Sequence, residues 1–76
     1  MKSLEVCLNI FTKRLKEYMH EKGIPSILAL SKIVGLSERT LNGWMRNVRT
    51  PHLAGLLIIS QKLNISLDYL VGLIED

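Results

Sequence analysis

Three side chains in one short stretch can do recognition chemistry: Glu38, Arg39 and Asn42. An arginine reads guanine in bidentate fashion, an asparagine reads adenine, and a carboxylate accepts from the N4–H of cytosine. Arg46 and Arg49 add positive charge just downstream. A helix starting at Thr50-Pro51-His52 would offer backbone N–H groups to an anion. The plain alternative is a solvated polar helix face. Catalytic chemistry finds less support. The acids and histidines form no paired general acid–base arrangement, no glycine-rich loop cradles a phosphate, and no Ser/His/Asp set stands out. His20, His52 and Cys7 match no metal-ligand spacing, so neither a metal nor a cofactor is expected. Cys7 is the single cysteine; it excludes an internal disulfide and reads as a small, semi-buried hydrophobe.

The elements that must position these groups are helical. Leu8, Phe11, Leu15 and Met19 form one apolar stripe, predicting a first helix from about Leu4 or Leu8 to Lys22, stopped by Gly23. Ser26 can cap a second helix from Ile27 to Val34, ended by Gly35. Ser37 caps a third, from Glu38 to about Arg46, with Asn47 as a left-handed stop. Thr50-Pro51 predicts the start of a fourth, with Thr as cap and Pro in the first helical position, running to Leu63 and closed by Asn64. Ser66 caps a fifth, from Leu67 to about Leu73. No strand and no internal repeat is visible. The two short helices meeting at Gly35 need a small residue at Ser31, where they cross. They also need apolar Leu30, Val34, Leu36, Leu41 and Trp44 to pack the pair. That is the spacing of a helix-turn-helix at about 26–46, whose second helix enters the DNA major groove.

The 76 residues fit one small domain, 1–76. No separate sensor or catalytic domain is expected within that length. No run of about 18 apolar residues exists, so no membrane span is expected. The N-terminal residues show no signal-peptide core and the chain carries one cysteine, so a cytoplasmic location is expected. Net charge is +3 and the charge is segregated. Residues 1–62 carry ten Lys and Arg against four Glu, whereas residues 63–76 carry three acids and no base. A basic body suggests a polyanionic partner. A mean hydropathy of +0.20 is high for so small a chain and suggests apolar surface buried in a dimer.

The chain resembles the lambda-repressor/Cro-like (XRE-type) helix-turn-helix family from Phe11 to Leu73. The resemblance is carried by Phe11-Thr-Lys-Arg-Leu15, by Leu30-Ser31-Lys-Ile-Val-Gly35-Leu-Ser37-Glu-Arg-Thr-Leu41, by Asn47-Val-Arg49-Thr50-Pro51, and by Leu63-Asn-Ile65-Ser66-Leu67-Asp-Tyr-Leu70. It implies an all-α, five-helix lambda-repressor-like DNA-binding domain. It also implies that Ser37 caps the recognition helix and touches a phosphate. Glu38, Arg39, Asn42 and Gly43 would face the groove, and Thr40 would meet the backbone or a thymine methyl. Arg46, Arg49, Thr50 and His52 would flank the loop at the phosphate backbone. The family's buried ion pair is replaced here by Met19 and Met45, which predicts a packing contact between them. Ile27 stands where the family favours a phosphate-binding Gln, and Gly43 weakens the recognition helix by about 1 kcal/mol relative to Ala.

Ile27, Leu28, Ile33, Ile58 and Tyr69 lie where the family is usually polar. They mark either a greasy surface or a contact patch. Ile58, Leu67, Tyr69, Leu70, Leu73 and Ile74 are the candidate homodimer surface, with the acidic Glu75-Asp76 tail held away from the duplex. The expected function is a sequence-specific, double-stranded DNA-binding transcriptional regulator, a homodimeric repressor on a palindromic operator. The rival reading is an antitoxin-like or anti-repressor-like module that docks on a protein partner. An enzyme is not expected.

Overall fold

Helical spacing of apolar residues governs the whole chain. The computed structural model, which describes residues 3–74, contains α1 (Leu4–Glu21), α2 (Ile27–Val34), α3 (Glu38–Met45), α4 (Leu53–Leu63) and α5 (Leu67–Leu70). No strand occurs among the described residues. None of these helices is long and apolar enough to cross a membrane. The Glu75-Asp76 tail lies outside the described residues. Serine hydroxyls cap four helices: Ser3, Ser26, Ser37 and Ser66 each accept from a backbone N–H of the first turn. Each satisfies one of the donors that a helix start leaves unpaired.

Two helix boundaries differ from the sequence expectation. α4 does not begin at Thr50-Pro51; its N-cap is His52, whose Nδ1 accepts from the Gly55 N–H at 2.9 Å. The imidazole lone pair takes the place of a hydroxyl, two residues further on. α5 is a single turn rather than a helix to Leu73. Gly72 turns left-handed there (φ 84°), and the Leu73 N–H closes back on the Asp68 carbonyl at 2.7 Å. That is a Schellman-type stop.

One core joins all five helices. Phe11, Leu15 and Met19 come from α1, Leu30 and Val34 from α2, and Leu41, Trp44 and Met45 from α3; Ile59, Leu63 and Leu70 complete it. Trp44 stands edge-on to Phe11, with centroids 6.4 Å apart, which is a favourable aromatic geometry. Met19 and Met45 are both buried in this core and line the same surface depression between α1 and α3. Leu70 corrects the expected dimer patch. It is 0% exposed inside its own chain, so it has no surface to offer a partner.

The structure also reveals a repeat that the sequence conceals. Ser31, Gly35, Leu36, Ser37 and Leu41 recur 29 residues later as Ser60, Asn64, Ile65, Ser66 and Leu70. Ser31 Oγ donates to the Leu36 carbonyl at 2.5 Å, and Ser60 Oγ donates to the Ile65 carbonyl at 2.6 Å. Gly35 (φ 79°) and Asn64 (φ 55°) are the left-handed corners. The α2–α3 and α4–α5 turns are therefore built alike.

Candidate nucleic-acid interface

The α2–α3 turn sets where α3 points. Leu41 and Trp44 bury the inner face of α3, at 0% and 2% exposure. Glu38 and Arg39 are left exposed, and Asn42 and Gly43 are half-buried. Ser37 accepts from the Thr40 N–H at 3.1 Å, and its own hydroxyl donates to Thr40 Oγ1 at 2.8 Å. The pair ties the first turn of α3 together, with Glu38 placed where a carboxylate favours the helix dipole.

α3 ends in a second left-handed stop. Asn47 (φ 57°) reverses the chain, and the N–H groups of Val48 and Arg49 both donate to the Gly43 carbonyl, at 2.9 and 3.1 Å. This folds the following loop back over α3. A Cβ built on Gly43 would lie 3.2 Å from Arg49 Cδ and 3.3 Å from its Cγ. The aliphatic stem of Arg49 therefore lies across the space that a side chain at 43 would fill. Arg39, Asn42, Gly43, Arg46, Val48 and Arg49 line one open cleft of about 390 Å³, with three guanidinium groups and, among the described residues, no acid. Such a surface concentrates positive potential where a polyanion can approach.

Beyond the cleft, α4 is pinned to α3. Gly55 approaches Trp44 so closely that a Cβ there would sit 2.2 Å from the indole Cη2. His52 lies edge-on to the same ring, with centroids 5.3 Å apart. Thr50 is exposed beside a neighbouring depression, which it shares with Asn47, Arg49 and the first turns of α1.

A family model of the Cro/C1-type HTH DNA-binding domain matches residues 14–76. The chain belongs to that family. Searches of curated proteins and of solved structures returned no match. Membership makes this Cro/C1-type domain a DNA-binding regulator in general terms. The match takes in every helix, starting part-way along α1.

In this Cro/C1-type domain the residues singled out from sequence separate into groups. Arg39, Asn42, Gly43, Arg46 and Arg49 share the cleft. Ser37 and Thr40 shape the start of α3. Glu38 lies on the exposed α3 surface outside the cleft lining, and Thr50 lies beside it. His52 is occupied as a helix cap. Two contributors were overlooked. Val48, 70% exposed, puts an apolar side chain among the arginines, and Gly55 lets α4 approach Trp44. Val48 sits between Asn47 and Arg49, and that flanking was its only signal in the sequence.

The expected dimer surface is only partly open. Leu73 and Ile74 are exposed at 59% and 44%, and Ile58 and Leu67 are half-buried. Tyr69 is engaged within its own chain. The Arg14 guanidinium lies 4.1 Å from its ring centroid, and it donates to the carbonyls of Tyr69 and Ile74.

Proposed function

We propose that this domain, spanning 1–76, is a homodimeric, sequence-specific repressor that occupies a palindromic operator and blocks polymerase by occlusion. The arginine-lined cleft beside α3 carries the reading, because it unites an arginine and an amide able to address base edges with further cationic charge. Arg39 and Asn42 read bases in the major groove. Ser37, Thr50 and Arg46 meet phosphates, which fix register. Exposed Leu73 and Ile74 carry the dimer contact together with Leu67 and Ile58. A two-fold dimer presents two recognition helices to half-sites about one DNA turn apart. Ile27 cannot donate to a phosphate, so the α3 cleft and the loop after it supply most of the affinity.

Selection of bound duplexes from a random-sequence pool at about 150 mM salt tests this reading, because weak charge-driven binding is suppressed there. Enrichment of an inverted repeat is the expected outcome. Failure of folded protein to enrich any sequence contradicts it. A protein-docking module of the antitoxin or anti-repressor type is the second reading, favoured by exposed Leu28, Ile33, Leu73 and Ile74. Sedimentation separates the two: the repressor reading expects a self-associating dimer, and a monomer at high micromolar concentration removes it.

A further inference from the structure

We infer that Arg49, a loop residue, is a base-reading residue rather than a phosphate contact, and that Gly43 exists at its position to admit it. The inference rests on the DNA-binding reading above and sharpens its α3 cleft.

Position 43 lies one residue after Asn42 and faces the cleft, where a recognition helix would ordinarily present a side chain. Here it has none. The vacated channel is filled from outside the helix. Arg49 Cβ, Cγ and Cδ lie 3.5, 3.3 and 3.2 Å from where a Cβ at 43 would stand. The Arg49 N–H is anchored to the Gly43 carbonyl at 3.1 Å, so the side chain departs from a fixed point against α3. Three methylenes pass over position 43, and Arg49 lines the cleft together with Arg39 and Arg46 as well as the neighbouring depression beside Asn47 and Thr50. Arg49 is exposed, and its guanidinium carries five donors. A planar fork held by its stem suits the O6 and N7 acceptors of guanine. A mobile arginine on a loop tip would suit phosphate, but this stem is laid against α3. The glycine that weakens α3 as a helix is thus accounted for by what passes over it.

The test is the base-preference profile of wild-type protein against Arg49→Lys and Gly43→Leu, with urea unfolding of each to confirm the fold. Arg49→Lys keeps the charge and removes the bidentate fork. Gly43→Leu keeps Arg49 but fills its channel with a good helix former. Both are expected to lose discrimination for guanine at one and the same position of each half-site, by about tenfold or more, while preference elsewhere in the half-site persists. Unchanged profiles with Arg49→Lys, accompanied by no more than uniform weakening at every sequence, would overturn the inference and make Arg49 a phosphate contact while leaving the DNA reading intact. A wild-type protein that enriches no sequence would overturn the DNA reading and this inference together.

Discussion

Between α2 and α3 the Ser31 hydroxyl is bonded to the Leu36 carbonyl, Gly35 turns left-handed, and Ser37 caps the next helix; between α4 and α5 Ser60, Ile65, Asn64 and Ser66 do the same. Inside, the two units match: Leu30 with Ile59, Val34 with Leu63, and Leu41 with Leu70, every one of them buried. Outside, they diverge. Arg39 in the first unit stands where the second has Asp68, Glu38 where it has Leu67, and Asn42 where it has Val71. α3 continues for eight residues and, with its C-cap and the loop after it, presents Arg39, Arg46 and Arg49, whereas α5 stops after four and leaves Leu73 and Ile74 exposed. One small hydroxyl, one left-handed corner and one cap are enough to fix the turn. The outer face is then free to take chemistry suited to a polyanion in one unit and to an apolar partner in the other.

Substitutions at matching positions test how far the likeness extends. The largest effects are expected in the core. Leu41→Ala and Leu70→Ala should each cost about 2–5 kcal/mol in urea unfolding, through lost burial and the cavity left behind. A small cost at Leu70 alone would mean that α5 docks loosely and the second unit is not a true counterpart. Next come Arg39→Ala and Asp68→Ala, compared on duplex binding. Arg39→Ala should cost about 1–3 kcal/mol and relax preference at one base pair, and Asp68→Ala should leave the preferred sequence unchanged. Equal effects would erase the division of labour between the two faces. Ser31→Ala and Ser60→Ala should each lower stability by about 0.5–1.5 kcal/mol, since each removes one hydroxyl bond to a turn carbonyl. A large difference between them would show that one turn is held by other contacts. The smallest effect is expected from exchanging the corner residues. Gly35→Asn and Asn64→Gly should each change stability by less than about 1 kcal/mol, because both types enter the left-handed region readily.

Much of this was legible in the sequence, wherever a single residue type does a single job. Ser26, Ser37 and Ser66 were readable as caps, and Gly35, Asn47 and Asn64 as left-handed stops. The α1 stripe of Phe11, Leu15 and Met19 and the burial of Trp44 followed from helical spacing. What escaped depends on substitutable roles or on contacts across space. The repeat is hidden because Gly and Asn serve the same corner, and Leu and Ile the same bridge. The α4 start was misplaced because Thr50-Pro51 is a strong local signal, whereas His52 caps through an imidazole lone pair. The sequence leaves Leu70 open to a partner because a one-turn helix has too little periodicity to reveal its buried face. The candidate cleft was half legible. Arg39 and Asn42 follow from their place on α3, and Arg46 from its place at the α3 C-cap, but the route of Arg49 over Gly43 requires the folded loop.

Amide chemical-shift mapping on titration with an enriched duplex tests the central claim most directly. The account predicts that the largest perturbations fall at residues 37–50, covering the start of α3, the cleft and the loop that crosses Gly43. Saturable binding of the duplex with those amides unmoved would contradict it.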